Sequence, residues 1–291
     1  MVKKYGDLYL QCRRALMQLE EPQTAGLMAR NLVAYYAGKT QEEVLRDREL
    51  YAGEQTCDAV DAATERLLAG EPLPYVLGEW EFYGLPLYVN SNVLIPRDDT
   101  CAVVGLAINQ AIFLPSDPRV LDLCTGSGCI GLAIASRIKD ARVTLADISK
   151  EALAVAKKNI ALNKLSSRVS CVQVDALSAA PTFLGKFDMI VSNPPYITGP
   201  EMAELPTSVK DFEPYLALFG GRDGLDFYRS IVEHYTKALK PGGFLAFEFG
   251  MGQGDDVCQI LTEHGYTILE RTKDFNDRER AVLAQYGRKE D

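Results

Sequence analysis

The sequence predicts an α/β protein with a mainly parallel, doubly wound sheet, preceded by a small all-helical domain. After residue 96, apolar segments of strand length alternate with helical segments, which is typical of βαβ units and a buried parallel sheet. The first 75 residues instead repeat apolar side chains at three- and four-residue steps, the spacing of amphipathic helices. Between these regions, residues 76–96 are rich in proline, glycine and aromatic residues and predict a β-hairpin linker.

Length, composition and charge exclude several classes of protein. The chain has 291 residues, of which 47% are hydrophobic and 24% charged, as in an ordinary globular protein. Its formal net charge of -9 disfavours a protein that holds nucleic acid through phosphate contacts. Seven scattered cysteines and two histidines lack zinc spacing, so no metal site is expected. Because no signal peptide or long apolar run is found, we expect a cytoplasmic protein without membrane contact.

The N-terminal domain is predicted to contain three helices, over residues 8–19, 27–36 and 57–68. Pro22 interrupts the first run of apolar residues. Gly38 and Gly70 are the predicted stops of the second and third helices, because glycine readily adopts the left-handed conformation that ends a helix.

The larger domain is predicted to contain seven strands alternating with helices. The strands are expected at residues 119–124, 142–147, 169–174, 187–192, 243–248, 267–271 and 281–285. The helices are expected at residues 99–112, 129–138, 150–163, 226–239 and 255–264. Since the last two strands follow each other closely, one of them is predicted to be antiparallel at that end of the sheet.

A glycine-rich turn follows the first of these strands. Gly126, Gly128 and Gly131 form G-x-G-x-x-G before a helix, so the backbone can turn sharply and present free N–H groups to a ligand. Sixteen residues later the next strand ends in Asp147, whose carboxylate can accept hydrogen bonds from both ribose hydroxyls of an adenosine-type ligand. This order predicts a nucleoside cofactor; the alternative is that the glycines only turn a strand into a helix.

NAD and S-adenosylmethionine both suit this arrangement, and one residue favours the second. Asp122 lies inside the strand, two residues before Cys124. A carboxylate there can face the sulfonium and amino-acid end of S-adenosylmethionine, whereas it would repel a pyrophosphate. A partly exposed strand aspartate with no ligand is the alternative.

A second candidate element, Asn193-Pro194-Pro195-Tyr196, follows the fourth strand, and strand carboxyl ends are where open α/β sheets bind ligands. Prolines have no N–H, so this loop presents carbonyl oxygens. A planar NH2 group would donate to the Asn193 side-chain oxygen and the Pro194 backbone oxygen while stacking on Tyr196. Fixing both hydrogens favours pyramidalisation and aims the nitrogen lone pair at a methyl carbon. The alternative is a loop that simply ends a strand.

These motifs resemble, in order and across nearly the whole chain, the bacterial peptide chain release factor glutamine methyltransferases, a family of protein-(glutamine-N5) methyltransferases. The resemblance is carried by residues 73–97, 122–135, 147–149, 191–197, 211–232, 247–253 and 273–282. It implies a Rossmann-like S-adenosylmethionine-dependent methyltransferase fold with a seven-stranded sheet over residues 97–291. It also implies that residues 1–75 recognise the substrate and that residues 76–96 form the linker.

The family's activity is implied as well. The chain would use S-adenosyl-L-methionine to methylate the N5 side-chain nitrogen of the glutamine in the Gly-Gly-Gln loop of peptide chain release factors. We expect a monomer with a protein partner and no direct contact with nucleic acid. The residues implied to line the cofactor are Cys124, Thr125, Gly126, Ser127, Gly128, Asp147, Ala176 and Asn193, joined by Asp122 from its position. The residues implied to hold the glutamine amide are Asn193, Pro194, Pro195 and Tyr196.

Arg97 is assigned to the rim of the active site, with an ion pair that only closes the hairpin as the alternative. The sequence also departs from the family pattern at four positions. Asp98 and Cys101 replace proline and glutamate, Cys124 replaces glycine, and Ala176 replaces a bulky residue expected against the adenine.

Two other functions stay open at this point. An adenine-N6 methyltransferase acting on DNA or RNA would stack a flipped base on Tyr196, but it would need a basic surface. A NAD-dependent Rossmann oxidoreductase is compatible with the glycine-rich turn but gives Asn-Pro-Pro-Tyr no role.

Overall fold

Within residues 2–78, five helices precede the hairpin: α1 (Tyr5–Leu16), α2 (Pro22–Ala37), α3 (Gln41–Arg46), α4 (Glu54–Leu68) and α5 (Leu73–Leu77). Pro22 begins α2, because the missing N–H of proline costs nothing at the first helical position. Gly38 ends that helix in the left-handed conformation, as predicted. The prediction missed α3, whose start is stabilised by a capping box between Thr40 and Glu43.

The computed structural model describes residues 2–287, which divide into two units. The helical unit runs to Gly78 and also takes in Thr207–Phe212, whereas the larger unit comprises Glu79–Pro206 and the residues from Glu213 onward. The hairpin therefore belongs to the larger unit, and the helical unit contains a segment that the sequence prediction placed elsewhere. Within residues 2–287, no helix is both long and apolar enough to span a membrane.

The predicted hairpin consists of β1 (Glu79–Phe82) and β2 (Leu85–Tyr88), which pair antiparallel. Its two turn residues, Tyr83 and Gly84, both have positive φ, which matches the twist of the flanking strands. Phe82 and Leu87 are buried in a core of the larger unit, and β2 packs against the helix at Lys150–Leu162.

Seven strands form the main sheet, in the order β5-β4-β3-β6-β7-β9-β8. They are β3 (Arg119–Leu123), β4 (Arg142–Asp147), β5 (Val169–Gln173), β6 (Phe187–Ser192), β7 (Leu239–Glu248), β8 (Tyr266–Lys273) and β9 (Glu279–Tyr286). The first five are parallel, and β9 is inserted between β7 and β8, antiparallel to both. The predicted mainly parallel sheet with an antiparallel strand at one end is confirmed.

The helices that follow the hairpin are α6 (Cys101–Ala111), α7 (Cys129–Arg137), α8 (Lys150–Leu162), α9 (Gly199–Glu204), α10 (Thr207–Lys210), α11 (Asp226–Tyr235) and α12 (Gly254–Glu263). The prediction missed α9, which starts at a capping box between Thr198 and Glu201, and α10. The helix predicted to reach residue 239 ends at Tyr235, and Leu239 already belongs to β7.

Both faces of the sheet are covered by helices. Because side chains alternate along a strand, Val120 joins the core under α6, α7 and α8, while Leu121 and Leu123 join the core under α11 and α12. The chain runs outward from β3 to β5 and then returns to β6 on the other side of β3. The carboxyl ends of β3 and β6 therefore flank a topological switch point, where such sheets bind ligands.

Gly131 supplies a test of how tightly the first helix after the turn packs on the sheet. An added Cβ would lie inside van der Waals contact with Leu145 and 3.0 Å from Val143 Cγ1 and Asp122 Oδ2. We expect Gly131→Ala to lower the free energy of unfolding by about 1–3 kcal/mol through overpacking, measured by urea denaturation. The control is Gly105→Ala in α6, where an added Cβ meets no atom within 4 Å. It should be neutral or stabilising, because alanine favours a helix interior; equal losses in both variants would contradict the packing argument.

Candidate active site

A cavity lies where the parallel strands β3, β4, β5 and β6 end. Their carboxyl ends meet at one edge of the sheet, so the segments that follow each strand are brought together. The cavity is lined there by residues 123–127, 147–149 and 174–177 and by Asn193 and Pro195. Residues of the glycine-rich turn, of the acidic strand end and of the Asn-Pro-Pro-Tyr element thus line the same cavity.

The glycine-rich turn reverses the chain between β3 and α7. Cys124, Gly126 and Gly128 have φ values of 62°, 53° and 85°. Glycine adopts this region freely, whereas a residue with a side chain is disfavoured there by roughly 1–2 kcal/mol, so Cys124 adds strain to the turn. Gly128 is the N-cap of α7 and is not among the lining residues. A Cβ at Gly128 would lie 2.9 Å from Leu145, so glycine is needed there for packing.

Asp147 connects the end of β4 to the turn. One oxygen of its carboxylate accepts a hydrogen bond from the Gly126 N–H (2.8 Å) and the other accepts one from the Ser149 N–H (2.9 Å). Burial raises the pKa of Asp147, and these backbone donors oppose that rise. Since each carboxylate oxygen has two lone pairs, Asp147 can still accept two hydroxyl groups from a ligand in the cavity.

Asp122 does not lie where the sequence prediction placed it. It is fully buried beneath the turn and is not among the residues that line the cavity. Its Oδ2 accepts hydrogen bonds from the Thr125 hydroxyl (2.5 Å) and the Gly131 N–H (2.8 Å). Burial raises the pKa of Asp122 to about 7. The carboxylate therefore braces the turn from below, and the prediction that it faces a ligand is corrected, as is the alternative of a partly exposed residue.

The Asn-Pro-Pro-Tyr element is divided between the cavity and the protein interior. Asn193 and Pro195 line the cavity, whereas Pro194 and Tyr196 are not among the lining residues. The Asn193 Nδ2 donates to the Thr100 hydroxyl at 3.4 Å, so the amide nitrogen is engaged and the side-chain oxygen is the end left for a ligand. Tyr196 is half-buried, and burial raises the pKa of its hydroxyl to about 12.

Arg97 lines the cavity and also forms an ion pair with Glu213. The buried Glu213 carboxylate accepts a second hydrogen bond from the Ile95 N–H (3.1 Å). Arg97 thus lies at the cavity, and its partner Glu213 is outside the hairpin, so the alternative of an ion pair that only closes the hairpin does not describe it. The rim assignment stays a prediction.

Several lining residues were not predicted from the sequence. They include Thr100, Ile130, Ile148, Leu177, Leu216 and Phe227. Ala176 was predicted and lines the cavity, with its carbonyl accepting the Ser230 hydroxyl (2.8 Å). Ile148 could have been found from the sequence, because it directly follows the end of a predicted strand, and Leu177 lies three residues after the end of another. Leu216 and Phe227 lie within residues 211–232, a segment that carries the family resemblance, but nothing in that segment marked these two side chains as cavity residues.

Fold and site together define a Rossmann-like methyltransferase, and comparisons with known proteins agree. The family model for the methyltransferase small domain matches residues 108–207, and that for the PrmC N-terminal domain matches residues 8–78. The release factor glutamine methyltransferase of Clostridium acetobutylicum is 44% identical over 216 residues, which are 74% of this chain and 75% of that protein. The one from Chlorobaculum tepidum is 36% identical over 276 residues, 92% of each chain. This chain belongs to the release factor glutamine methyltransferase family.

A solved structure extends the comparison of the fold. The hMettl16 catalytic domain, in complex with the MAT2A 3′UTR hairpin 6, has a TM-score of 0.57 and 16% identity. The match covers 83% of this chain and 86% of that one, and at this identity it concerns the fold alone. The resemblance inferred from the motifs is confirmed, and the chain is an enzyme of the methyltransferase class. The NAD-dependent alternative is not supported.

Proposed function

We propose that this chain methylates the N5 nitrogen of the glutamine in the Gly-Gly-Gln loop of peptide chain release factors, using S-adenosyl-L-methionine. One observation carries the proposal: Asp147 and the glycine-rich turn share a single cavity with Asn193. This combination serves a nucleoside-type methyl donor and an amide acceptor at the same time. Membership of the release factor glutamine methyltransferase family supports the choice of substrate.

The residues that line the cavity fit S-adenosylmethionine. Asp147 has acceptor lone pairs for the ribose hydroxyls, and the turn at residues 124–127 would hold the methionine end. Ala176 and Leu177 supply an apolar wall for the adenine. When bound, S-adenosylmethionine supplies an electrophilic methyl group. Acidic groups at this end of the sheet, the buried Asp122 and the half-buried Asp147, favour a ligand that carries a positive charge.

The substrate amide needs activation, because its nitrogen lone pair is delocalised into the carbonyl group. The Asn193 side-chain oxygen would accept one hydrogen of the amide, and the backbone oxygen of Pro194, which is not itself a lining residue but lies between Asn193 and Pro195, would accept the other. This would hold the nitrogen in a fixed orientation and favour its pyramidalisation. Apolar groups at the cavity, including Pro195, Leu216 and Phe227, would exclude water from the reacting atoms. No strong base is required at the start, since the nitrogen becomes acidic as positive charge develops.

A protein substrate is favoured over a nucleic acid. The net charge of -9 opposes the steep phosphate attraction that an adenine-N6 methyltransferase would need. The family match over residues 8–78 also covers the helical unit, which accords with a domain that recognises a protein.

A transfer experiment tests the proposed function directly. The purified chain is incubated with labelled S-adenosylmethionine and a release factor, and peptide mass spectrometry is expected to find one methyl group on the Gly-Gly-Gln glutamine. A release factor in which that glutamine is alanine is the matched control and should stay unlabelled. Label on an adenine-containing oligonucleotide, or none on the release factor, would contradict the proposal.

Asn193→Ala tests the amide clamp. Because the variant loses one of two proposed acceptors for the substrate amide, we expect kcat to fall by about 100-fold or more. The affinity for S-adenosylhomocysteine, measured by calorimetry, should change little. The control is Asn276→Ala, which alters an exposed asparagine in the turn between β8 and β9 and should keep the wild-type rate. Normal turnover by Asn193→Ala would rule out the clamp.

Asp147→Asn tests the cofactor assignment. The variant keeps the size of the side chain but loses the negative charge and part of its acceptor capacity. We expect the Kd for S-adenosylhomocysteine to rise about 10- to 100-fold, the range for hydrogen bonds to a charged group. Asp140→Asn, at an exposed aspartate outside the cavity, is the control. Unchanged affinity in Asp147→Asn would remove the ribose assignment.

A further inference from the structure

Glu248 is a buried acid at the candidate site for which the proposed function has so far no role. It is the last residue of β7, beside the end of β6, and only 2% of its surface is exposed. Carboxylates are almost never buried so fully unless they are paired. The nearby cation Arg280 forms ion pairs with Asp99 (3.1 Å) and Asp274 (3.2 Å). Within residues 2–287, Glu248 Oε2 has no hydrogen-bond partner.

Two side chains join this carboxyl group to the Asn-Pro-Pro-Tyr element. Thr100 and Asn193 both act as hydrogen-bonding neighbours of Glu248 and lower its pKa, against the larger effect of burial, which raises that pKa to about 7. The Asn193 Nδ2 also donates to the Thr100 hydroxyl oxygen at 3.4 Å. Thr100 itself is buried, with 2% exposure, so its hydroxyl proton has few acceptors to choose from.

The polarity of this chain of hydrogen bonds follows from the donors and acceptors available. An ionised carboxylate can only accept, so the single Thr100 proton points to Glu248. The Thr100 oxygen then accepts from the Asn193 NH2 group, which leaves the Asn193 oxygen free for a ligand. If the Asn193 amide were flipped, its oxygen would need the Thr100 proton and the buried carboxylate would lose a donor, which is unfavourable.

We propose that Glu248 is a positioning residue that fixes the orientation of the Asn193 side-chain amide through Thr100. The two ends of a carboxamide have nearly the same shape, so packing alone cannot distinguish them. The hydrogen-bond chain does, and it keeps the acceptor end of Asn193 towards the substrate. This inference rests on the proposed function, in which Asn193 accepts a hydrogen from the glutamine amide.

The orientation of the Asn193 side-chain amide depends on the charge of Glu248, so this orientation should depend on pH. A protonated carboxyl group can donate to the Thr100 oxygen and release the Thr100 proton to the Asn193 oxygen, which reverses the chain. The ionised form is therefore the productive one, and activity should rise as the pH increases through the pKa and fall below it.

One other acid of the site titrates in the same range, because burial also raises the pKa of Asp122, beneath the glycine-rich turn, to about 7. The comparison with a Glu248 variant is therefore what assigns an acidic limb to Glu248. The titratable and charged groups that influence Glu248 or are influenced by it are Asp99, Cys101, Cys129, Tyr196, Tyr228 and Arg280. Burial raises the pKa of both thiols and both phenols above their ordinary values, so these groups stay neutral at pH 6–8. Arg280 stays charged throughout.

Variants at Thr100 test the hydrogen-bond link between Glu248 and Asn193 without altering the charge of Glu248. Thr100→Val keeps the side-chain shape but removes the hydroxyl, and we expect kcat for release factor methylation to fall by about 10-fold or more. KM for the donor and the affinity for S-adenosylhomocysteine should change less than twofold. Thr100→Ser keeps the hydroxyl but lacks the methyl group, and it should have most of the wild-type rate. If Thr100 acted only through the packing of its methyl group, Thr100→Ser would be as slow as other packing variants. A wild-type kcat in Thr100→Val would overturn the proposal.

The pH profile of kcat tests the role of Glu248 itself. In the wild-type enzyme, kcat should fall on the acidic side with a midpoint near pH 7, and in Glu248→Gln this acidic limb should disappear because the amide does not titrate. Glu233→Gln, at an exposed residue of α11, is the control and should keep the wild-type profile. An unchanged acidic limb in Glu248→Gln would overturn the positioning role alone. Absence of any wild-type methylation of the release factor would overturn the proposed function, and this inference with it.

Discussion

The carboxylate of Asp122 accepts hydrogen bonds from the Thr125 hydroxyl and from the Gly131 N–H, on either side of the glycine-rich turn. These bonds tie β3, the turn and α7 into one unit beneath the cavity. Asp147 holds the same turn from the neighbouring strand through the Gly126 N–H. The residues of the turn that would touch a ligand, 124–127, are positioned by this bracing, because the turn forms one wall of the cavity.

Burying acidic side chains in this way lowers the stability of the native state wherever these groups are ionised in the unfolded chain. Burial raises the pKa of Asp122 and of Glu248 to about 7, well above the values of exposed carboxyl groups. Between roughly pH 4 and 7 the native state therefore binds more protons than the unfolded state, so these groups reduce stability as the pH rises through that range. Proteins keep such groups mainly where function requires them, and both lie beside the candidate site.

Local signals in the sequence predicted most of the architecture. Apolar segments marked all seven strands of the sheet, and Gly126 and Asp147 marked one side of the cavity. Pro22 lies between the first two helices, as predicted, but the second helix begins at Pro22 and not at residue 27, because proline can start a helix as well as interrupt one. The capping box at Thr40 and Glu43 was visible in the sequence, so the helix it begins could have been predicted.

These local signals could not predict contacts between residues that are far apart in the sequence. The insertion of β9 between β7 and β8 depends on pairing in space, which no periodicity encodes. Asp122 was assigned to the cavity because position along a strand does not reveal which face a side chain buries until its neighbours are known. The hydrogen bond between Asn193 and Thr100 joins residues 93 positions apart, and neither residue has a sequence feature that predicts the other as its partner. An amide substrate makes that contact important, because a weak nucleophile depends on fixed directions for its hydrogens and therefore on which end of Asn193 faces it.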